Sequence, residues 1–285
     1  MISGFYSKAS PSLRSKFNLR RHLATHNMKK CHMPSYISSF LWLVLILAAG
    51  VSAQPVTTTT TGSSGSAKSA PFNEATEVLI AYASRGIVFD GEASNSPFTQ
   101  ALLEHVSSPD DIALVLRKVR EQVFQTTRGS QETWEQSSLT GGALVLSRTT
   151  AAHALVIGNG AYINIEKLRN TLNDARAIGS KLTQLGFAVT TVEDATRSGL
   201  LIAMEAFKRS ATGGELAVLF YAGHGLQLQG EVYLLPVDVA ATDEKSVRTT
   251  SVPLRVVVDQ YMPTKRRLIL YDSNLDTPFP SSGSR

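Results

Sequence analysis

A single histidine, His224, stands between two glycines directly after the apolar run 216–222, so a buried strand would deliver an imidazole to its own carboxyl end. An imidazole titrates close to neutrality, and glycines on either side let a substrate backbone come near, which is the setting of a general base. About fifty residues on, a second apolar run at 267–271 closes in Asp272-Ser273-Asn274, the sort of strand end at which a nucleophile is expected. No cysteine is there, and the only one in the chain is Cys31. The spacing therefore poses a base and a strand-end carboxylate without the thiolate that would attack.

Positioning such groups requires strands that end together, and from Pro71 onward the sequence supplies them. Short apolar runs at 78–83, 141–146, 152–157, 187–192, 216–222 and 268–271 alternate with helical periodicities, the pattern of an α/β domain. Ser96-Pro97 predicts a helix start with serine as cap, running through Val106. Ser108-Pro109-Asp110-Asp111 repeats the device, and Ile112, Val115, Leu116, Val119 and Val123 share one face of the helix that follows. A third helix carries Ala175, Ile178, Leu182 and Leu185, with Gly186 where a C-terminal cap belongs, and a fourth at 196–209 turns Leu200, Met204 and Phe207 inward. Strands joined by helices imply a mainly parallel sheet covered on both faces, with functional groups gathered at the carboxyl ends of the strands.

The first seventy residues do not read as part of that domain. The apolar run 40–49, preceded by Lys29 and Lys30 and followed by Val51-Ser52-Ala53, has the organisation of a secretory signal peptide, with Met28 as a start of ordinary length. An exported location, secreted or periplasmic, is expected, with membrane attachment only if the leader is kept. Its core is shorter than the roughly 20 residues a spanning helix needs. Five threonines and a Gly/Ser stretch within 54–70 are too poor in apolar side chains to fold and read as a linker. Seven of the 28 Lys and Arg residues and none of the 23 Asp and Glu residues precede Gln54, so the net charge of +5 belongs to the leader and the remainder is slightly acidic. That balance gives no support for nucleic-acid binding. No Cys/His cluster has metal-ligand spacing, Gly158-Asn159-Gly160 lacks the rest of a dinucleotide fingerprint, and no cofactor is indicated.

Residues 154–159, Asn173-Asp174-Ala175, Gly186-Phe187, Tyr221-Ala222-Gly223-His224-Gly225 and 233–238 resemble the large-subunit part of the caspase and metacaspase group of cysteine endopeptidases. Residues 80–83, Asp90-Gly91, Asn95-Ser96-Pro97-Phe98-Thr99, Ala101-Leu102-Leu103 and 133–139 resemble the small-subunit part. The resemblance implies a caspase-like three-layer sandwich, with its small-subunit part at 71–146 and its large-subunit part at 152–285. In the family the large part comes first, so the order here reads as a circular permutation, or as the tail of one domain fused to the head of another. Residues 147–151 would then join the last strand to the first. Five extended residues reach roughly 17 Å and crossing three strands takes about 14 Å. That allows closure within one chain and leaves a homo-oligomer formed by exchange of halves as the alternative.

By the same resemblance His224 is the family's histidine, the N–H of Gly225 donates to an oxyanion, and Asn274 falls on the nucleophile position. An amide has no ionisable nucleophilic atom at neutral pH. Ser273 is the neighbouring hydroxyl, but adjacent positions on an extended segment face opposite sides, so it is expected to point away from His224. Asp272 corresponds to the carboxylate that favours arginine or lysine in the first specificity pocket, with Asp90 as a second candidate. Asp174 reads as a dipole-stabilising residue at a helix start, and Tyr82 and Trp134 read as packing residues. The expected ligand is a peptide or protein. Three functional readings stand: an inert, peptide-binding homologue; an active endopeptidase whose thiol comes from a partner chain or was lost by sequence error or truncation, the chain ending eleven residues after Asn274; and a structural assembly module.

Overall fold

The computed structural model describes residues 76–84, 93–273 and 275, all within the unit Ser64–Arg285. The leader with Cys31, the linker, Asp90 and Asn274 lie outside the described residues.

In chain order the elements are β1 (Glu77–Tyr82), α1 (Pro97–His105), α2 (Ile112–Thr126), β2 (Trp134–Ser137), β3 (Ala152–Gly158), α3 (Thr171–Gln184), β4 (Ala188–Glu193), α4 (Arg197–Ala211), β5 (Leu216–Ala222), β6 (Gly225–Leu228), β7 (Glu231–Leu234), α5 (Glu244–Thr250), β8 (Val252–Pro253) and β9 (Arg266–Asp272). Six strands form one sheet in the order β2-β1-β9-β5-β3-β4, parallel throughout except for the antiparallel edge strand β2. A small antiparallel sheet, β6-β7-β8, is inserted between β5 and β9.

The two-residue period of the strands divides the core into two apolar layers. Val218 and Phe220 of β5 and Leu268 and Leu270 of β9 face α1, α2 and α3, where Phe98, Val119 and Ile178 meet them. Leu219, Tyr221, Ile269 and Tyr271 face the other way, toward Leu200, Met204 and Phe207 of α4 and Val257 and Val258 of the π-helical turn Val257–Tyr261. Helices on both faces of a mainly parallel sheet make this the α/β sandwich expected of a caspase-like chain. The helix faces also match expectation: Ile112, Val115, Leu116, Val119 and Val123 are all buried.

Local capping explains the helix ends. Ser96 accepts a hydrogen bond from Thr99 N–H at 3.0 Å with Pro97 at the first helical position, and Thr196 caps α4 the same way. Gly186 closes α3 at φ +89°, with open space where a side chain would sit. Gly186→Ala is therefore expected to cost only the left-handed strain, about 1 kcal/mol. Urea unfolding would read it as a lower midpoint at unchanged slope.

Two local expectations give way. The cap of α2 is Asp111, not Ser108, because one Asp111 oxygen accepts from Ala113 N–H and the other from Leu144 N–H. Ser108 instead closes a turn with Asp110. Residues 141–146 form no strand: Gly141 turns the chain at φ +84°, and Leu144 O accepts from Ile112 N–H rather than from a sheet neighbour. The edge strand is Trp134–Ser137, Ser138 N–H still donates to Val78 O of β1, and the stretch 139–151 then leads on to β3. Gly142 O accepts from Arg266 at the start of β9 and Ala151 O from Glu215 N–H before β5. The crossing thus has far more chain than five residues, and β1 closes onto β9 of the same polypeptide.

Candidate functional site

β5 and β9 run side by side in register, with Ala222 level with Asp272, and Gly223 N–H approaches Asp272 O at 3.4 Å. Two adjacent parallel strands thereby end together, and the chain leaves one of them into His224 and the other into Ser273.

His224 is half-buried, and its backbone is held by tyrosine hydroxyls. Its N–H donates to Tyr162 Oη at 2.8 Å, and Tyr221 Oη donates to its carbonyl at 2.6 Å. Both phenols are fully buried, and burial first of all pushes their ionisation above the ordinary tyrosine range, so they serve as neutral hydrogen-bonding groups. The Tyr162 ring meets the imidazole edge to face at 4.7 Å.

The imidazole is oriented by a backbone group. His224 Nε2 lies 2.8 Å from Glu166 O. A carbonyl only accepts, so Nε2 carries the proton, and in the neutral ring the lone pair is on Nδ1. Nδ1 is therefore the atom able to take up a proton, and the Glu166 carbonyl steadies the imidazolium that results. Side-chain spacing could not have revealed this partner, because any residue offers a carbonyl.

Glycines on both sides of His224 are required by packing. A Cβ on Gly223 would lie 2.7 Å from Tyr221 Oη and 2.8 Å from Tyr162 Oη. One on Gly225 would lie 2.1 Å from Tyr271 Oη and 2.5 Å from Ser273 Oγ. Gly225 opens β6 opposite Leu234, so its main chain is tied to the small sheet. Ser273 is buried beside it and hydrogen-bonded to Tyr271. Its hydroxyl thus faces the strand that follows His224, where the alternation argument had turned it away from the histidine.

Asp272 points to the opposite face, toward α1. It is 5 % exposed, and Oδ2 accepts from Ser96 Oγ at 2.5 Å and Thr99 Oγ1 at 2.8 Å. Asp174, in the first turn of α3 as its dipole reading requires, does more than stabilise that helix. Its Oδ1 accepts from Asn95 Nδ2 at 2.9 Å and Ser96 N–H at 3.0 Å. Asn159 of the Gly-Asn-Gly turn is structural too: its amide donates to Leu235 O and its Oδ1 accepts from Ala195 N–H.

Tyr82 and Trp134 stack at 4.3 Å with 11° between their rings, as packing residues do. They also line a cavity of about 110 Å³ together with Ile80, Val232, Glu231 and Arg255. Neither His224 nor Asp272 borders it. The arrangement at the strand ends can accept a proton on one side and offer a buried carboxylate on the other.

A family model described as the caspase domain matches residues 20–143 and 151–272. The chain is also similar to the mucosa-associated lymphoid tissue lymphoma translocation protein 1 homolog of Mus musculus, at 35 % identity over 85 residues. Those residues are 30 % of this chain and 10 % of that protein. The Homo sapiens mucosa-associated lymphoid tissue lymphoma translocation protein 1 is similar to the same extent. The chain thus spans about a tenth of the length of the curated relatives it matches.

Proposed function

Because this chain belongs to the caspase domain family, whose members are peptidases, we propose that it is a peptide-binding homologue that retains the family's base and basic-residue pocket but does not cleave. The observation that carries the reading is the joint ending of β5 and β9, with an oriented His224 on one and a buried Asp272 on the other. Position 274 is two residues beyond Asp272 as His224 is two beyond Ala222, and it holds an amide where the family places its thiol. A base with no acid to deprotonate leaves an amide substrate intact.

The reading also takes 71–146 and 152–285 as the small- and large-subunit parts in inverted order. The pairing of β1 with β9 supports it, as does the break in the family match between 143 and 151.

Fluorescence anisotropy with a peptide ending in arginine amide, and with its citrulline counterpart, tests the proposal. The native chain is expected to prefer the arginine peptide and to leave it uncut. Asp272→Asn should weaken arginine binding about 20-fold, the scale of a hydrogen bond to a charged group. Equal binding of both peptides would remove the basic-residue pocket. Cleavage by the native chain that disappears in His224→Ala would show an active peptidase instead.

A further inference from the structure

The stretch 159–168, between β3 and α3, touches His224 twice: Tyr162 Oη accepts from its backbone N–H, and Glu166 O accepts from its Nε2. One loop thus holds both the backbone and the ring of the histidine. It closes on itself through Leu168 N–H to Gly160 O at 3.0 Å, and its place is set from outside. Asp194, directly after β4, turns its carboxylate across the end of β3, where Oδ1 accepts from Gly160 N–H and from Ala161 N–H, each at 2.8 Å. Farther along the loop, Asn164 Nδ2 donates to Val239 O and Ile163 N–H donates to Val237 O, both at 2.9 Å.

The backbone of Asp194 suits that role. It lies at φ +46°, in the left-handed region that aspartate and asparagine tolerate, and its N–H donates to Gly158 O at 2.8 Å. The same residue therefore bonds to main chain on both sides of Asn159, and the turn leaving β3 is clamped just before the buried Tyr162. Tyr162 and Glu166 stand where that clamp puts them. We infer that Asp194 and Asn164 are positioning residues for His224, acting through the loop whose hydroxyl and carbonyl fix its backbone and its ring. The inference rests on the reading of His224 as the base for its catalytic consequence alone.

The test is the exchange of the His224 Nε2 proton with water, measured by saturation-transfer NMR on a timescale far shorter than unfolding. Asp194→Gly removes the acceptor and is at ease at positive φ, whereas Asp194→Asn keeps an oxygen acceptor on the same backbone. In Asp194→Gly the proton is expected to exchange about tenfold faster, the scale of one lost bond to a charged acceptor. Asp194→Asn should stay within about threefold of native, and Asn164→Ala should speed the exchange about threefold. The asparagine position carries the test if Asp194→Gly does not fold. A lower Tm with native exchange in Asp194→Gly and Asn164→Ala would make both residues merely structural and overturn the inference. Equal acceleration in Asp194→Gly and Asp194→Asn would overturn it as well, because the acceptor would not be what matters. In the Asn274→Cys background, Asp194→Gly should lower kcat about tenfold and leave KM within about twofold. If Asn274→Cys itself cleaves nothing, the base reading fails and the proton exchange still decides the positioning. Native exchange and native kcat in Asp194→Gly, with Asn274→Cys active, defeat this inference alone.

Discussion

Asn274→Cys is expected to cleave arginine peptides at least about 10³-fold faster than the native chain does. The magnitude follows from the reverse experiment: deleting the nucleophile of a comparable protease removes about 10⁶ in turnover. A grafted thiol regains only part of that, because nothing has selected its distance and angle to the imidazole. Two neighbouring groups favour that gain. Nδ1 is the proton-accepting nitrogen of the neutral His224 ring, because Nε2 is committed to Glu166 O. Asp272 is held rigid at the end of the strand beside it. A fluorogenic arginine amide measures the gain, and His224→Ala in the cysteine background should remove it. A variant that still folds and still binds the arginine peptide, yet shows no amide hydrolysis and no labelling by a thiol-reactive arginine electrophile, would exclude Asn274 as the nucleophile position.

Gly225→Ala should be among the most damaging single-methyl additions in the domain, lowering stability by about 3 kcal/mol and Tm by roughly 10 °C. The added Cβ would meet Tyr271 Oη at 2.1 Å and Ser273 Oγ at 2.5 Å. Neither can step aside cheaply. Tyr271 is fully buried, stacks on Tyr221 at 5.2 Å and donates to Tyr233 O at 2.9 Å. Gly225 itself is paired with Leu234. Gly142→Ala is the control, since no atom lies within 4 Å of a Cβ there, and it should unfold within 0.5 kcal/mol of the native chain. Thermal unfolding of the two variants settles the matter, and a Gly225→Ala transition within 1 kcal/mol of native would show that β6 can move away from β9. Such mobility would mean that the backbone beside His224 is not preorganised.

Much of this site was legible before the fold. The Gly-His-Gly sequence after a seven-residue apolar run already placed an imidazole at a strand end, because runs of that kind are buried on both faces in a parallel sheet. The helix faces were legible for the same reason, since periodicity reports which side meets the core. What was not legible depends on atoms that carry no residue signature. The Glu166 carbonyl orients His224, yet every residue has a carbonyl. Ser108 looked like the cap of α2, and Leu144, brought back from 33 positions away, helps fix Asp111 in that place by using its second oxygen. The run 141–146 is apolar enough for a strand, but Leu144 and Leu146 bury their side chains while the backbone bonds to α2 and the turn at 146–148.

The amino-acid sequence by itself determined the α/β class, the family, the histidine at the end of β5 and the amide at position 274, because these are properties of residue type and short-range spacing. Only the tertiary structure decided which nitrogen of His224 accepts a proton, which way Ser273 turns and what grips Asp272. Those outcomes rest on contacts between Asp272 and Ser96 or His224 and Glu166, whose partners are 176 and 58 positions apart. No local pattern encodes such pairs, and they exist once the packed sheet has brought its strand ends together.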